Sequence, residues 1–522
     1  MATAKRGRRP YQAGVIDVGA HSVRLDLFEV ASDGRIELLE SLSQSINLGY
    51  DVFRHGSVSP ENLARLTSVM AAFARKLAEY RIRRYRVIAT SAVREAFNRE
   101  LVVNRIRNES GLELEVLETQ EEIRITYLSM REALNRHMRF EELNGICLMI
   151  GAGSLLVSYF DRGLMRFSEE VPLGTVRLFD AYGRTAVSMD QVLETLRSQD
   201  IRQRLFECVG LEPGCPLTLI ALGASVRQLV SVLPEGGAAR GEEVWEMAAE
   251  FAEPAVRRIM HRDPAALAAE LKLTEESAAG IAVCGGILSY FLEEFNCRSF
   301  LSPATTTRTA LIEDLVRRSR PEPDPFHCDL IAICDSIGRK YGYDPIHAEE
   351  VSRLCLQLLG KLGRKFEFPA RAPLLLEAAA RLHDIGRFVD TRQHHKHSWY
   401  LISNMQLPGI SEAEQNLVAV ISRYHRKATP KTSHPEYMML AAEEKVTVLK
   451  LAAILRVADA LECSRRGRFR KCRIVQRGGV LAILVPESGD FRLERLNLEL
   501  KGGMFNEVFG LEVKIEEAPL SI

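Results

Sequence analysis

Residues 14–30, GVIDVGAHSVRLDLFEV, and residues 145–163, GICLMIGAGSLLVSYFDRG, follow the same pattern. Each predicts a buried strand, a glycine turn and a second strand, which together form a β-hairpin. The turns, residues 19–22 and 151–154, are small and polar. Such turns let backbone N–H groups approach an anion closely. The repetition predicts two related lobes that face one cleft.

The segments around the hairpins alternate between helix and strand patterns. An amphipathic helix is predicted for residues 59–80, and the strand RYRVIATSA follows it. Further strands, LTLIALGA and IAVCGGIL, are predicted after the second hairpin. This alternation is typical of an α/β fold. Proline and acidic residues in PEPDP, residues 321–325, predict a linker.

The second half of the chain is predicted to be helical from residue 326 to about residue 462. The basic run RRGRFRK, residues 465–471, then leads into CRIVQ, VLAILV and FRLERLNLEL, which are all predicted as strands. The predicted domains are a disordered basic arm (1–12), lobe I (13–135), lobe II (136–315), a linker (316–325), a helical domain (326–465) and a β-rich C-terminal domain (466–522).

Composition narrows the class of protein. The chain has 522 residues, which predicts several domains, and its 69 basic and 69 acidic residues give a net charge of zero. Because the chain has no excess of basic residues, its composition does not favour sequence-specific nucleic-acid binding. The N-terminus has no apolar core like that of a signal peptide, and no apolar run reaches the ~18 residues that span a membrane. The ten cysteines are scattered without CxxC, which predicts free thiols in a reducing cytoplasm.

Histidines concentrate in the helical half. Seven of the twelve lie between His347 and His434. Just beyond them, Asp459 lies in the apolar pattern VLKLAAILRVADALE, where a charge is costly unless it is paired or bound to a metal. Imidazole and carboxylate are the ligands of hydrolytic divalent metals, so the residues predict a metal site.

The spacing of these residues places the ligands on separate helices. Asp344 and Pro345 predict a helix start just before His347, and LLLEAAARLHDIGRF predicts a second helix that carries His383 and Asp384. This arrangement resembles the HD phosphohydrolase superfamily, whose pattern would be met by His347, His383, Asp384 and Asp459. The resemblance implies Mn, Fe or another transition metal. Four further histidines could serve a second metal or hold a phosphate, namely His394, His395, His397 and His425.

Ordinary explanations exist for these signals. A buried histidine is often a satisfied core residue, and HHKH could be a solvated loop. The basic runs at residues 81–86, 317–320, 426–431 and 465–471 could track a long polyanion, but solvated linkers and helix ends are the favoured explanation for each run alone.

The N-terminal half carries an ordered set of further motifs. They are DVGAHSVRL (17–25), SINLGYDVFRHGSVSPENL (45–63), ATSAVREAFN (89–98), ETQEEIRITY (118–127) and VPLGTVRL (171–178). In this order they resemble the exopolyphosphatase / guanosine pentaphosphate phosphohydrolase (Ppx/GppA) family, and the resemblance extends over nearly the whole chain. It implies two actin-like lobes of the ribonuclease H-like (ASKHA) fold, then an all-α HD-type domain and a small C-terminal domain.

The resemblance also implies a function. The chain would release terminal phosphate from inorganic polyphosphate or from guanosine penta- or tetraphosphate, with Mg or Mn in the lobe cleft if the cleft is active, and would form a homodimer. Glu121 would be the catalytic base and Arg94 a phosphate clamp, although a solvated helix face and a surface salt bridge explain each residue singly. The other implied phosphate-binding residues are Asp17, Gly19, His21, Ser22, Gly151, Gly153 and Ser154.

One departure from the family pattern weakens the prediction of an active cleft. The family has an aspartate and a glutamate where this chain has Met149 and Leu156. Neither side chain can bind Mg²⁺, which takes oxygen ligands, unless Asp17 and Glu122 substitute. Three hypotheses therefore remain. The cleft is an exopolyphosphatase-type centre, or it senses a ligand while the HD site hydrolyses a nucleotide or phosphoester, or the protein is a polyphosphate- or alarmone-binding regulator.

Overall fold

The computed structural model describes residues 10–182, 189–211, 214–233, 238–240, 243–318, 324–426, 428–485 and 489–517. Residues 1–9 of the predicted arm and 319–323 of the predicted linker, with the end of the 317–320 basic run, lie outside these ranges. The chain divides into two compact units, Met1–Phe326 and His327–Ile522. Within the described ranges, no helix is long and apolar enough to cross a membrane.

The first unit contains two mixed sheets. The first sheet has the order β3-β2-β1-β4-β5 and the second has the order β10-β11-β12-β9-β6-β7-β8. Their strands are β1 (Tyr11–Val18), β2 (Ser22–Val30), β3 (Ile36–Ser45), β4 (Arg84–Ala89), β5 (Glu115–Val116), β6 (Gly145–Ile150), β7 (Leu155–Asp161), β8 (Leu164–Val171), β9 (Leu217–Leu222), β10 (Ala238–Arg240), β11 (Val244–Ala248) and β12 (Cys297–Pro303).

Helices pack against both sheets. They are α1 (Leu48–His55), α2 (Pro60–Glu79), α3 (Ser91–Arg94), α4 (Arg99–Ser110), α5 (Thr119–His137), α6 (Thr175–Tyr182), α7 (Met189–Ser198), α8 (Ile201–Val209), α9 (Ala224–Val232), α10 (Ala249–Met260), α11 (Pro264–Leu271), α12 (Glu275–Glu294) and α13 (Thr307–Arg318). The mixed α/β prediction is confirmed.

The two predicted hairpins are confirmed and occupy equivalent positions. β1 pairs antiparallel with β2 and parallel with β4, and β6 pairs antiparallel with β7 and parallel with β9. The turns share one hydrogen bond, because the N–H of Gly19 donates to the carbonyl of Ser22 at 3.0 Å and that of Gly151 to Ser154 at 2.9 Å. The sequence repeat therefore corresponds to a structural repeat.

One strand prediction in this unit is wrong. IAVCGGIL, residues 281–288, lies inside α12 and not in a sheet. Thr274 caps this helix by accepting the N–H of Ser277, and the helix is buried on most sides. A helix buried all round has no polar face, so its apolar run has the same appearance as a buried strand.

The second unit begins with a helical bundle and ends in a small sheet, with the order β13-β14-β15. Its elements are α14 (His327–Lys340), α15 (Pro345–Leu362), α16 (Ala372–Leu382), α17 (His394–Asn404), α18 (Glu412–Arg423), α19 (Pro435–Met438), α20 (Ala442–Leu461), β13 (Arg473–Arg477), β14 (Val480–Val485), α21 (Arg492–Lys501), α22 (Gly503–Phe509) and β15 (Glu512–Glu517). The predicted helix start is confirmed, since Asp344 accepts the N–H of His347 at 3.1 Å.

The predicted strand FRLERLNLEL is wrong, because residues 492–501 form α21. Leu496, Leu498 and Leu500 alternate with polar residues, which imitates a strand. However, leucine, glutamate and arginine are strong helix formers, and only Leu498 of these three leucines is buried. In its described ranges the C-terminal tail therefore has two helices and three strands, whereas the sequence predicted a β-rich tail.

Candidate functional site

A cavity of about 330 Å³ opens between the two hairpin turns of the first unit. Six of the predicted phosphate-site residues line it, whereas Gly153, Arg94 and the predicted base Glu121 are not part of the lining. The six lining residues are Asp17, Gly19, His21, Ser22, Gly151 and Ser154.

A carboxylate pair beside the cavity holds Arg94. Its guanidinium contacts Glu122 at 3.1 Å and Glu170 at 3.3 Å. Glu170 also accepts hydrogen bonds from the hydroxyls of Ser154 at 2.6 Å and Thr119 at 2.9 Å. Since Arg94 already neutralises two carboxylates, it has less capacity to clamp a phosphate than the sequence implied.

Adjacent glutamates at the start of α5 point to different places. Glu122 lines the cavity, and burial raises its pKa although Arg94 opposes that effect. Glu121 instead pairs with Arg124 at 2.6 Å, and Arg124 also contacts the buried Asp314 at 2.7 Å. The carboxylate available to a ligand in the cavity is therefore that of Glu122.

Glu170 is a functional candidate that the sequence did not reveal. It lies on β8 directly opposite Leu156 of β7, and Leu156 lies opposite Met149 of β6. The family carries its glutamate at the position of Leu156, and the carboxylate of Glu170 therefore lies on the strand next to that position. Its nearness to the hairpin turn follows from the sheet register.

The cleft does not fit a bound divalent cation well. Among the described residues, the groups of three close metal-ligating side chains both lie in the second unit. Oxygens of Glu122 and Glu170 are engaged by Arg94. Burial raises the pKa of Asp17 to about 6, and Arg308 lies 3.9 Å from this carboxylate.

Three helices of the second unit bring His347, His383 and Asp459 together. Their ligand atoms lie within 4.8 Å of one another, and all three residues are buried. Oδ1 of Asp459 is 3.5 Å from Nε2 of His347 and 4.0 Å from Nε2 of His383. The predicted convergence of α15, the end of α16 and α20 therefore occurs.

Asp384, His394 and His425 form a second group with the same spacing. Oδ1 of Asp384 lies 3.3 Å from Nε2 of His394, 3.9 Å from Nε2 of His425 and 3.8 Å from Nε2 of His383. Nε2 atoms of His394 and His425 are only 3.0 Å apart. One carboxylate oxygen therefore stands among three imidazoles and connects the two groups.

Backbone carbonyls orient the imidazoles toward the centre. Nδ1 of His383 donates to Ala380 at 2.8 Å, and Nδ1 of His425 donates to Ser422 at 2.6 Å. His394 makes the same type of bond to Thr391 at 3.0 Å. Each Nε2 therefore keeps a free lone pair that a metal ion can accept. Metal-binding histidines commonly have this arrangement, in which the other ring nitrogen donates a hydrogen bond to a carbonyl or carboxylate. Nε2 of His383 is buried and has no hydrogen-bond partner among the described residues.

The electrostatics also suit a cation. Burial lowers the pKa of His383, His394 and His425, which keeps these rings neutral near pH 7. Nearby histidines hold the pKa of Asp384 below its usual range although burial acts in the opposite direction. Neutral imidazoles around ionised carboxylates form a donor set that fits a divalent transition metal.

Two predicted ligands are not in either group. His395 and His397 lie on α17 beside His394, but the described clusters contain only His394 from this run. A Cβ at Gly386 would collide with the carbonyl of His394, so this glycine lets α17 approach close to the end of α16. Burial, followed by the charge of Arg423, lowers the pKa of His395 to about 4.

Basic side chains contact the outer oxygens of both carboxylates. Arg465 binds Oδ2 of Asp384 at 2.9 Å and Oδ2 of Asp344 at 2.7 Å. Arg387 approaches Asp384 at 3.3 Å, and Lys501 contacts Oδ2 of Asp459. The inner oxygens, Oδ1 in both residues, face the histidines. The carboxylates are thereby fixed in orientation.

Comparisons with known proteins agree on one family. The model of the Ppx/GppA phosphatase family matches residues 28–317, more than half of the chain, and the model of Ppx/GppA phosphatase domain III matches residues 332–488. A guanosine-5'-triphosphate,3'-diphosphate pyrophosphatase of Photobacterium profundum is 23% identical over 468 residues, or 86% of each chain.

A second relative with the same name, from Vibrio vulnificus, is 25% identical over 87% of this chain and 88% of its own. The solved structure of an exopolyphosphatase from Cytophaga hutchinsonii has a TM-score of 0.51 at 15% identity, and the match covers 59% of this chain and 98% of that chain. At this level of identity the structural match shows a shared fold only.

Proposed function

Since this chain belongs to the Ppx/GppA phosphatase family, we propose that it is a phosphoanhydride hydrolase that releases terminal phosphate from inorganic polyphosphate or from a guanosine penta- or tetraphosphate. The relatives named as guanosine-5'-triphosphate,3'-diphosphate pyrophosphatases support this class of reaction. The observation that carries the proposal is the cavity between two equivalent hairpin turns, which the half-buried Glu122 also lines.

The cleft residues supply the parts that this reaction needs. Hydrolysis of a terminal phosphoanhydride requires an in-line water, a base that orients it and donors around the transferring phosphoryl group. Glu122 is the base, because it lines the cavity and burial raises its pKa toward the range in which a general base works best. The turns at Gly19 and Gly151 cradle phosphate oxygens. Arg94 holds Glu122 in place, and Glu170 in turn contacts Arg94.

Adjacent glutamates provide the test. Phosphate release from polyphosphate and from guanosine pentaphosphate would be measured for the wild type, Glu122→Gln and Glu121→Gln. Loss of a general base lowers kcat about 10²- to 10⁴-fold, and we expect this loss in Glu122→Gln alone. Equal loss in both variants, or full activity in Glu122→Gln, would contradict the assignment.

The metal-ligand cluster supports a second candidate function. We propose that residues 326–465 form an HD-type domain and that it hydrolyses a phosphoester or nucleotide with a divalent transition metal. His347, His383 and Asp459 would hold one ion, and Asp384, His394 and His425 would hold another. The orphaned Nε2 of His383 is the observation that favours this function, because a buried nitrogen without a partner is costly unless something binds it.

Bound metal would supply a nucleophile by lowering the pKa of a coordinated water. The chain's own contribution is orientation. Carbonyls of Ala380, Thr391 and Ser422 fix the histidine rings, and Arg465 fixes Asp384. Arg387, which is exposed beside Asp384, would face the phosphate of a substrate and donate to its oxygens.

This second activity can be separated from the first. Mn²⁺-dependent hydrolysis of nucleotides and of bis(p-nitrophenyl) phosphate would be compared in His383→Ala/Asp384→Ala and in His395→Ala. We expect loss in the double variant only, since His395 is outside both groups. Activity that survives in the double variant but disappears in Glu122→Gln would assign all hydrolysis to the cleft. Tight polyanion binding without any turnover would favour the regulator hypothesis.

A further inference from the structure

A buried arginine of the second unit belongs to neither metal group. Arg456 lies on α20, three residues before the ligand Asp459, and only 2% of its surface is exposed. Within the part of the chain that the structure describes, no carboxylate lies within 4.0 Å of its guanidinium. Burial lowers the pKa of Arg456 to about 10, so the guanidinium still carries its charge near pH 7. A buried cation without a carboxylate partner is costly, which indicates that its other contacts serve a purpose.

The hydrogen bonds of Arg456 with the described residues go to backbone carbonyls. Nη1 donates to the carbonyls of Tyr424 at 3.2 Å, Ala428 at 3.1 Å and Arg426. Nε donates to the carbonyl of Lys501 at 3.0 Å. Three of these four acceptors lie in the five residues that follow the end of α18. The guanidinium therefore holds a segment that has left its helix.

His425, a ligand of the second metal group, lies in the chain between two of these acceptors, Tyr424 and Arg426. Its Nδ1 donates to the carbonyl of Ser422 at 2.6 Å, which orients the ring. Its backbone N–H reaches the same carbonyl only at 3.5 Å, so the helical hydrogen bonds hold the main chain weakly at this point. The contacts of Arg456 on both sides of His425 supply the restraint that α18 no longer gives.

The same segment also contacts the part of the chain that leads to the other histidine of this group. The side chain of Arg426 donates to the carbonyl of Arg392 at 2.9 Å, two residues before His394. The ligands of the first group instead lie on α15, at the end of α16 and on α20, where helical hydrogen bonds hold the main chain. The second group therefore depends on this segment, whereas the first group does not.

We propose that Arg456 is a positioning residue for the second metal group. It holds the main chain around His425 so that this imidazole faces the ion, and it touches neither the ion nor the substrate. This role rests on the proposed metal centre of the second unit, and it makes the second ion dependent on a residue outside the ligand set. Substitution of residues that hold metal ligands in place typically weakens metal binding 10- to 100-fold.

Equilibrium dialysis of the full chain against Mn²⁺ at pH 7.5, followed by elemental analysis, tests this role without requiring turnover. Arg456→Lys keeps the charge near Asp459 but cannot reach all four carbonyls. Arg371→Lys is the matched control, because Arg371 also holds a loop carbonyl, that of Gly409, at the opposite end of α16 from His383. His425→Ala, which lacks a ligand of the second group, identifies the ion that this group binds.

We expect two ions in the wild type and in Arg371→Lys. In Arg456→Lys the ion of the first group should bind within about twofold of the wild-type affinity, and the ion that His425→Ala loses should bind about 10- to 100-fold more weakly. Equal weakening of both ions would indicate a general structural role and overturn the proposal. Loss of cooperative thermal unfolding in metal-free Arg456→Lys, with Arg371→Lys unchanged, would do the same.

The wild type and the catalytic assay separate this role from the proposed function. A second ion held within about threefold of the wild-type affinity in Arg456→Lys, or a wild type that binds no second ion, would also overturn the role of Arg456. Two bound ions in the wild type and selective loss of one in Arg456→Lys, without hydrolysis of any phosphoester by the wild type, would contradict the proposed phosphohydrolase and support the positioning role.

Discussion

The cleft of the first unit contains half-buried carboxylates and the histidine centre of the second unit contains buried ones, and the two sets are neutralised in opposite ways. In the cleft, Arg94 binds Glu122 and Glu170 directly. In the centre, cations contact only the outer oxygens of Asp384 and Asp459, and the inner oxygens face histidines. The first arrangement leaves little affinity for a metal and suits an anionic ligand, whereas the second suits a cation.

Removal of Arg94 should have the largest effect on stability. Arg94→Ala leaves the half-buried Glu122 and Glu170 without their cation. Hydrogen bonds to charged groups contribute roughly 1.5–3 kcal/mol each, so we expect a loss of about 3 kcal/mol for the two pairs after solvent screening. Urea unfolding at pH 7.5 would measure the loss, and Arg94→Lys should recover part of it. An Arg94→Ala variant with wild-type stability would show that the cleft carboxylates do not depend on this cation.

Metal binding should stabilise the second unit by a slightly smaller amount. An ion that binds only the folded state at 100 times its Kd adds about 2.7 kcal/mol to the free energy of unfolding. Mn²⁺ should therefore raise the Tm of the wild type and of His395→Ala, but not that of His383→Ala. A Tm unaffected by Mn²⁺ in the wild type would contradict the metal centre.

Asp17 gives the cleft a pH-dependent stability. Burial raises its folded pKa to about 6 from 3.8, so the charged form is unfavourable in the folded state. The cost is absent below about pH 4 and is fully present above about pH 6, where it is on the order of 2 kcal/mol. Asp17→Asn should therefore be more stable than the wild type at pH 7.5 and equal to it at pH 3.5 in denaturant titrations.

A matched aspartate gives the control for this prediction. Asp26, which pairs with Arg308 and accepts a hydrogen bond from Ser41 at 2.6 Å, should destabilise the protein when it is replaced by asparagine. If Asp17→Asn and Asp26→Asn were equally destabilising at pH 7.5, Asp17 would be a stabilising partner of Arg308 and its raised pKa would be wrong.

The smallest effect is expected at the N-terminus of α15. Asp344 caps this helix next to His347, and replacement of such a cap by alanine costs about 1 kcal/mol. Asp344→Ser should keep the cap while losing the ion pair with Arg465. Equal unfolding midpoints for Asp344→Ala and the wild type would show that the cap does not hold the position of His347.

Local signals could be predicted from the sequence. The hairpins follow from their glycine turns, and the start of α15 follows from Asp344 and Pro345. A convergence of His347, His383, Asp384 and Asp459 was predicted from their places on separate helices and from the HD resemblance, and the structure places Asp384 in the second group. Each of these features depends on a few neighbouring residues or on a ligand pattern.

The direction in which a given side chain points from its helix could not be predicted from the sequence. Adjacent helical residues point about 100° apart, so a pair of like residues always offers two candidates. Tertiary packing selects Glu122 over Glu121 for the cavity and His394 over His395 for the metal groups. The sequence contains no local signal that separates the members of either pair.

The register between neighbouring strands could not be predicted from the sequence either. A bulge between Tyr159 and Phe160 shifts the pairing of β7 with β8 and brings Glu170 opposite Leu156. Counting from the turn without that extra residue would place a different side chain there. Without the bulge Glu169 would lie opposite Leu156, so the register decides which of two adjacent glutamates stands near the lost acids.

The metal content of the purified protein tests the contrast between the two sites most directly. Elemental analysis after incubation with Mn²⁺ and gel filtration would compare the wild type, Glu122→Gln/Glu170→Gln and His383→Ala/Asp384→Ala. We predict that the cleft variant retains the wild-type metal content and that the histidine-centre variant loses it. Metal that is lost with the cleft glutamates and kept without His383 and Asp384 would contradict the assignment of the two sites.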